Sequence, residues 1–109
     1  MAYDEGLAEA MRDDLAEEPE ITERRMFGGL GFMRAGHMVC GVHARGAMFR
    51  VGKALEAEAR AIPGTGPMTF TGRPMGGMVE ADDALLADDD RRRRLLALAL
   101  THARSLPPR

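Results

Sequence analysis

The chain has 109 residues, 45% hydrophobic and 29% charged, with 15 lysines and arginines against 17 aspartates and glutamates for a formal net charge of −2. That length suits one domain, spanning residues 1–109, whose core can stand without metal or disulfide staples, and the single cysteine, Cys40, excludes an intramolecular disulfide. No apolar run follows a basic start as a secretory signal requires, so the cytoplasm is the expected compartment; the longest apolar-rich stretch, Leu95 to Leu100, is far below the ~20 residues that cross a bilayer, so no membrane span is expected.

Charge is unevenly distributed. Residues 1–23 carry nine acids against the lone base Arg12, an end that repels a phosphate backbone, whereas proteins that grip nucleic acid by themselves usually present a net basic footprint. From Asp4 to Glu17, Leu7, Ala8, Met11 and Leu15 recur at helical spacing, and Pro19 is expected to stop the helix.

Between Ile21 and Gly52 the period changes to two, with breaks at Gly28-Gly29, Ala35-Gly36 and Arg45-Gly46 that suit an antiparallel meander. A two-residue turn at Arg45-Gly46 sets Val42 opposite Phe49 and Cys40 opposite Val51, an apolar face for the helices. A turn at Ala35-Gly36 sets Phe32 opposite Val39 on the other face, with Leu30 nearby and His43, Met48 and Arg50 beside them. Leu30, Phe32, Val39, Met48 and Arg50 therefore form a candidate interaction surface, for a homodimer or another protein partner, unless a further element of the chain covers it.

Lys53 to Ala61 favours a short helix closed by Pro63-Gly64. Two short strands follow, Met68 to Thr71 and Met78 to Ala81. The last helix runs from about Asp88, an N-cap candidate, to Leu106, before Pro107-Pro108. Leu95, Leu96, Leu98, Ala99, Ala103 and Leu106 share one arc of it, with His102 inside. The order helix, three or four strands, helix, two strands, helix predicts an α+β fold of two layers, a mostly antiparallel sheet with helices packed on one face.

Chemistry-bearing motifs are sparse. His37, Cys40 and His43 have a spacing that could hold zinc, but strand alternation sends residues 37 and 43 to one face and 40 to the other, so no metal site is expected. Gly46 to Ala54 departs from a phosphate-binding loop, with five residues between Gly46 and Gly52 and alanine in place of the magnesium-binding hydroxyl. No nucleophile, base and acid set has local support; neither an enzyme nor a cofactor is expected. Lys53 and Arg73, the latter on a turn-rich loop, remain candidate anion contacts, with a small-anion binder or an unrecognised enzyme around them as the alternative reading. Arg91, Arg92, Arg93 and Arg94, with Arg104 and Arg109, are the candidate nucleic-acid contacts, against the reading that the preceding aspartates neutralise the run.

Several segments in the same order carry a family resemblance: Met1-Ala2-Tyr3-Asp4-Glu5, Glu23-Arg24-Arg25-Met26-Phe27-Gly28-Gly29, Phe49-Arg50-Val51-Gly52, Phe70-Thr71-Gly72-Arg73-Pro74-Met75 and Ala103-Arg104-Ser105-Leu106-Pro107-Pro108. On these the chain closely resembles the TfoX N-terminal domain family, related to bacterial competence regulators. The resemblance implies a two-layer α+β fold and a regulatory or adaptor role through protein contacts, with no catalytic residue to carry over. Longer competence regulators add a C-terminal helical domain; this chain ends at Arg109, so a stand-alone domain is expected.

Overall fold

The structure is a computed structural model that describes residues 3–26, 28–70 and 72–109. Met1, Ala2, Phe27 and Thr71, which belong to the motifs quoted above, lie outside the described residues.

Helix α1 (Glu5–Asp14) opens on Asp4, whose carboxylate accepts from the Leu7 N–H at 3.2 Å. A capping carboxylate satisfies one of the free N–H groups of the first turn and meets the positive end of the helix dipole. Ala8 and Met11 are fully buried. The helix ends at Asp14, short of Pro19, and the chain turns through Leu15 to enter the sheet.

Six strands form one antiparallel sheet: β1 (Ile21–Met26), β2 (Gly29–Arg34), β3 (His37–His43), β4 (Gly46–Arg50), β5 (Thr65–Phe70) and β6 (Arg73–Ala81), in the spatial order β1-β2-β3-β4-β6-β5. A 3-10 turn (Lys53–Leu55) and the short α2 (Glu56–Arg60) lie between β4 and β5. After β6 come α3 (Asp83–Ala87), which the sequence pattern does not predict, and α4 (Asp89–Arg104). Both are capped by aspartates, Asp82 accepting from Leu85 N–H at 2.9 Å and Asp88 from Arg91 N–H at 3.2 Å. One core joins the layers, with Met11, Leu85, Leu95 and Leu96 from the helices against Phe32, Val42, Phe49 and Val79 from the sheet. The α+β architecture is the one expected.

Two details of the meander differ from the expected register. Ala35 and Gly36, at φ 50° and 88°, form the two-residue turn that places Arg34 opposite His37, since a hairpin of this kind needs positive φ at both central residues. Beyond Met33 and Met38, however, the ladder slips and Phe32 pairs with Cys40. Val39 becomes the extra residue of a β-bulge, which breaks alternation and buries Val39 and Cys40 together. Leu30, Phe32 and Val39 consequently belong to the core at 5%, 0% and 0% exposure, and Phe32 and Val39 take no part in an outer interaction surface.

The β3–β4 turn lies at Ala44-Arg45, not Arg45-Gly46, so Val42 opposes Ala47 and Cys40 opposes Phe49. His43 Nδ1 accepts from Arg45 N–H at 3.2 Å and steadies this turn. The pairing moves by two positions in sum, so each side chain keeps its face and the apolar inner set survives.

Two carboxylates tie the helix layer together. Asp14, with a side chain only 2% exposed, accepts from Arg92 Nε at 2.7 Å and Arg93 Nε at 3.1 Å, while Arg92 Nη1 also donates to Leu86 O at 2.9 Å. Arg92 thus links the ends of α1 and α3 to α4. Glu18 accepts from Arg104 on α4 and from Arg34 Nε on β2 at 3.0 Å. Hydrogen bonding by Arg104, reinforced by Arg34, holds its carboxyl below the usual glutamate range.

Removing one member of this buried pair leaves the other with only a largely exposed partner, Arg93 for Asp14 and Asp89 for Arg92. Arg92→Ala and Asp14→Ala are each expected to destabilise by ~2–3 kcal/mol, and the double variant by less than their sum. Urea denaturation of the four proteins checks this; additive losses, or losses no larger than those of an exposed pair, would contradict a coupled buried tie.

Candidate functional site on the open sheet face

The inner face of the sheet is covered by helices; its other face carries a groove of about 510 Å³ lined by residues of the strands and the β3–β4 turn. Six methionines line it, Met26, Met38, Met48, Met68, Met75 and Met78, six of the nine in the chain. They arrive from β1, β3, β4, β5 and β6, so the groove crosses the strands.

Two cross-strand glycines shape its floor. Gly31 and Gly41 pair across β2 and β3. A Cβ added at Gly31 would lie 3.2 Å from Met26 Cε and 3.5 Å from Met38 Cε, and one at Gly41 would lie 3.5 Å from Met48 Sδ. Absence of side chains there gives the methionines room to lie over the sheet. Thioether chains are unbranched and polarisable and adapt to irregular apolar surfaces, so the groove suits an apolar occupant of unfixed shape.

His43 brings a polar group to this lining. Its Nδ1 accepts from Arg45, and burial lowers its pKa, chiefly by desolvation. A neutral ring accepting at Nδ1 carries its proton on Nε2. Among the described residues, Nε2 is a buried side-chain nitrogen with no hydrogen-bond partner, which is costly until an acceptor arrives.

The charge around the groove is one-sided. Arg45 lines it; Arg24 pairs with Gly31 and Arg50 with Met78, so cross-strand pairing places both on the same face. Arg73 stands two residues before Met75 on β6. Against these four arginines stands Glu80, paired with Met48, on a chain whose net charge is −2.

Of the expected interaction residues, Met48 and Leu30, both largely buried, line the groove and Arg50 lies on its face, whereas Phe32 and Val39 are core alone. His43, expected on this face beside Met48 and Arg50, does line the groove, whereas Met26, Met38, Met68, Met75 and Met78 were not singled out from the sequence as a surface. Their signal is the methionine enrichment at outward positions, legible once strand boundaries and the bulge are known.

The other candidates have different surroundings. The bulge sends His37 and His43 apart: His37 Nε2 lies 2.6 Å from Pro107 O, while His43 engages the β3–β4 turn. This corrects the expectation that they share a face. Cys40 is fully buried, and desolvation pushes its thiol up, away from nucleophilic reactivity. Lys53 packs its stem against Gly76, with Cε 3.2 Å from where a Cβ would sit, and the exposed Arg73 lies three residues farther along β6. The nearby amide of Gly77 donates to Glu56 Oε1 at 2.8 Å, so a carboxylate already occupies that junction.

The arginine run is largely engaged within the fold. Arg91 donates to Asp88 Oδ2, Pro63 O and Ala84 O at 3.0–3.1 Å. Arg92 and Arg93 hold Asp14, and Arg104 holds Glu18. Arg94 and Arg109 are exposed. The aspartates do neutralise the run, Asp88 with Arg91 and Asp89 with Arg92, at a spacing of three residues instead of four. A smaller hollow of about 320 Å³ between α1 and β1 is lined by Arg12, Glu18 and Glu23, whose charges already pair inside the protein. His102 packs over Gly52, half-buried, in a structural position.

Gly52, at φ 78°, and Val51 both donate to Gly77 O at 2.9 Å, and a Cβ on Gly52 would lie 2.7 Å from His102 Cε1. Gly52→Ala is therefore expected to cost ~1–3 kcal/mol, while Gly66→Ala, with open space around its Cβ position, stays within about 0.5 kcal/mol. Thermal unfolding of both variants checks the contrast; equal stability would contradict a packed structural junction at Gly52.

The TfoX N-terminal domain family model matches residues 13–103. No curated protein and no solved structure matches the chain. The matched segment runs from the end of α1 through the whole sheet to the last turn of α4, so that it contains both the groove and the helix layer behind it, and the chain belongs to the TfoX N-terminal domain family.

Proposed function

We propose that this protein is a regulatory or adaptor domain that works through protein contacts and performs no chemistry of its own, with the methionine groove as its docking surface. The observation that carries this reading is the position of an apolar, glycine-floored hollow on the sheet face opposite the helices. Apolar patches rimmed by polar residues mark interaction sites more often than chance exposure does, and methionine-rich surfaces are common where a partner must be accommodated by repacking. A regulatory role is in keeping with the family.

The alternative of nucleic-acid binding through the last helix is less well supported, because Arg91, Arg92, Arg93 and Arg104 are held in ion pairs with Asp88, Asp14 and Glu18. Anion binding by Lys53 and Arg73 is likewise disfavoured, because Lys53 packs against Gly76 and the neighbouring Gly77 amide is already taken by Glu56. A homodimer through the open face would set the four arginines of each copy against those of the other.

A photocrosslinking residue placed at position 75 in cells is expected to trap a discrete protein, and the product should disappear when Met38→Glu is added. The same residue at position 94 should trap neither that protein nor nucleic acid. Nucleic acid crosslinked from position 94, with nothing from position 75, would contradict the reading in favour of the last helix.

A further inference from the structure

The groove has a length and a charge, and together these restrict what can occupy it. Its lining reaches from Met26 on β1, at one edge of the sheet, to Met68 on β5, at the other. Five inter-strand spacings of ~4.8 Å make this ~24 Å, the length of a helix of ~16 residues. A strand-like peptide would add to a sheet edge along the strand direction; a hollow running across the strands calls for a rod laid on the face.

Among the described residues the lining holds no Phe, Tyr or Trp on which bases could stack, and six of its side chains are thioethers, three of them beside Gly31 and Gly41. The rod must therefore present an apolar stripe. Around that stripe it meets Arg24, Arg45, Arg50 and Arg73 against Glu80 among the described residues. Complementary potential selects partners and rejects like-charged ones. The same charge disfavours a second copy of this chain, whose own face is equally basic.

Building on the groove as a protein-docking surface, we infer that it receives an acidic amphipathic helix of ~16 residues from a partner protein, apolar face on the methionines and carboxylates toward the four arginines. The methionines give tolerance for the shape of the apolar face, and the arginines set the sign of the charge beside it.

The test uses the full chain with 13C-labelled methionine methyls and two synthetic helical peptides sharing one apolar face, one with glutamate and one with lysine at the polar positions. The acidic peptide is expected to shift the methyls of Met26, Met38, Met48 and Met75 while leaving Met11 unmoved, and to bind about tenfold or more tighter than the basic one. Arg45→Glu combined with Arg73→Glu should remove that preference without moving the Met11 signal, which reports an intact core.

Equal or tighter binding of the basic peptide would overturn the acidic assignment while leaving the groove a protein dock. Groove shifts with phosphatidylglycerol vesicles and none with the acidic peptide would overturn it in favour of a lipid surface. Concentration-dependent shifts in the chain alone that the acidic peptide cannot reverse would overturn it in favour of self-association. Failure of the docking reading itself is a separate result, the absence of any protein crosslink from position 75.

Discussion

The helices of this protein pack against a single face of its sheet, and that asymmetry governs everything else about the molecule. Each strand sends alternate side chains to opposite faces, so burial on the helix side fixes one set of residues and leaves its complement facing outward. Phe32, Cys40, Val42, Phe49 and Val79 fill the inner face. The complement is Met26, Met38, Met48 and Met78 with Gly31, Gly41 and His43. The groove is therefore built by the same alternation that builds the core, and a slip of one residue would exchange the two.

Electrostatics divides between the layers in a related way. In the helix layer, carboxylates and arginines are consumed in holding elements together: Asp14 with Arg92 and Arg93, Glu18 with Arg34 and Arg104. The N-terminal acids that look from composition like a repulsive patch are partly structural. Among the described residues, arginines on the open face have no comparable set of acids beside them, and an overall charge of −2 conceals a basic face on an otherwise acidic protein. Net charge alone is thus a poor guide to what this molecule attracts.

The fold class and most elements were legible in the sequence because helical periodicity, aspartate caps and glycine-marked turns all point the same way. The short α3 escaped because five residues are too few to show a helical period. The surface residues were misplaced by one feature, the bulge at Val39, which no local residue choice announces. It turned Phe32 and Leu30 inward and separated His37 from His43. The turn at Ala44-Arg45 did less harm, because a shift that preserves parity changes partners without changing faces. Arg92 is buried on its helix because its partner is Asp14, 78 residues away in the chain, a pairing that local sequence cannot announce.

An open methionine face is the claim on which the functional account rests. Its most direct measurement is the broadening of methionine methyl signals by a soluble paramagnetic probe in the free protein. Strong broadening of Met75, Met38 and Met26 beside an unaffected Met11, buried under the helices, is the predicted result. Protection of the groove methyls equal to that of Met11 at every protein concentration would show that the face is closed, and would contradict the account.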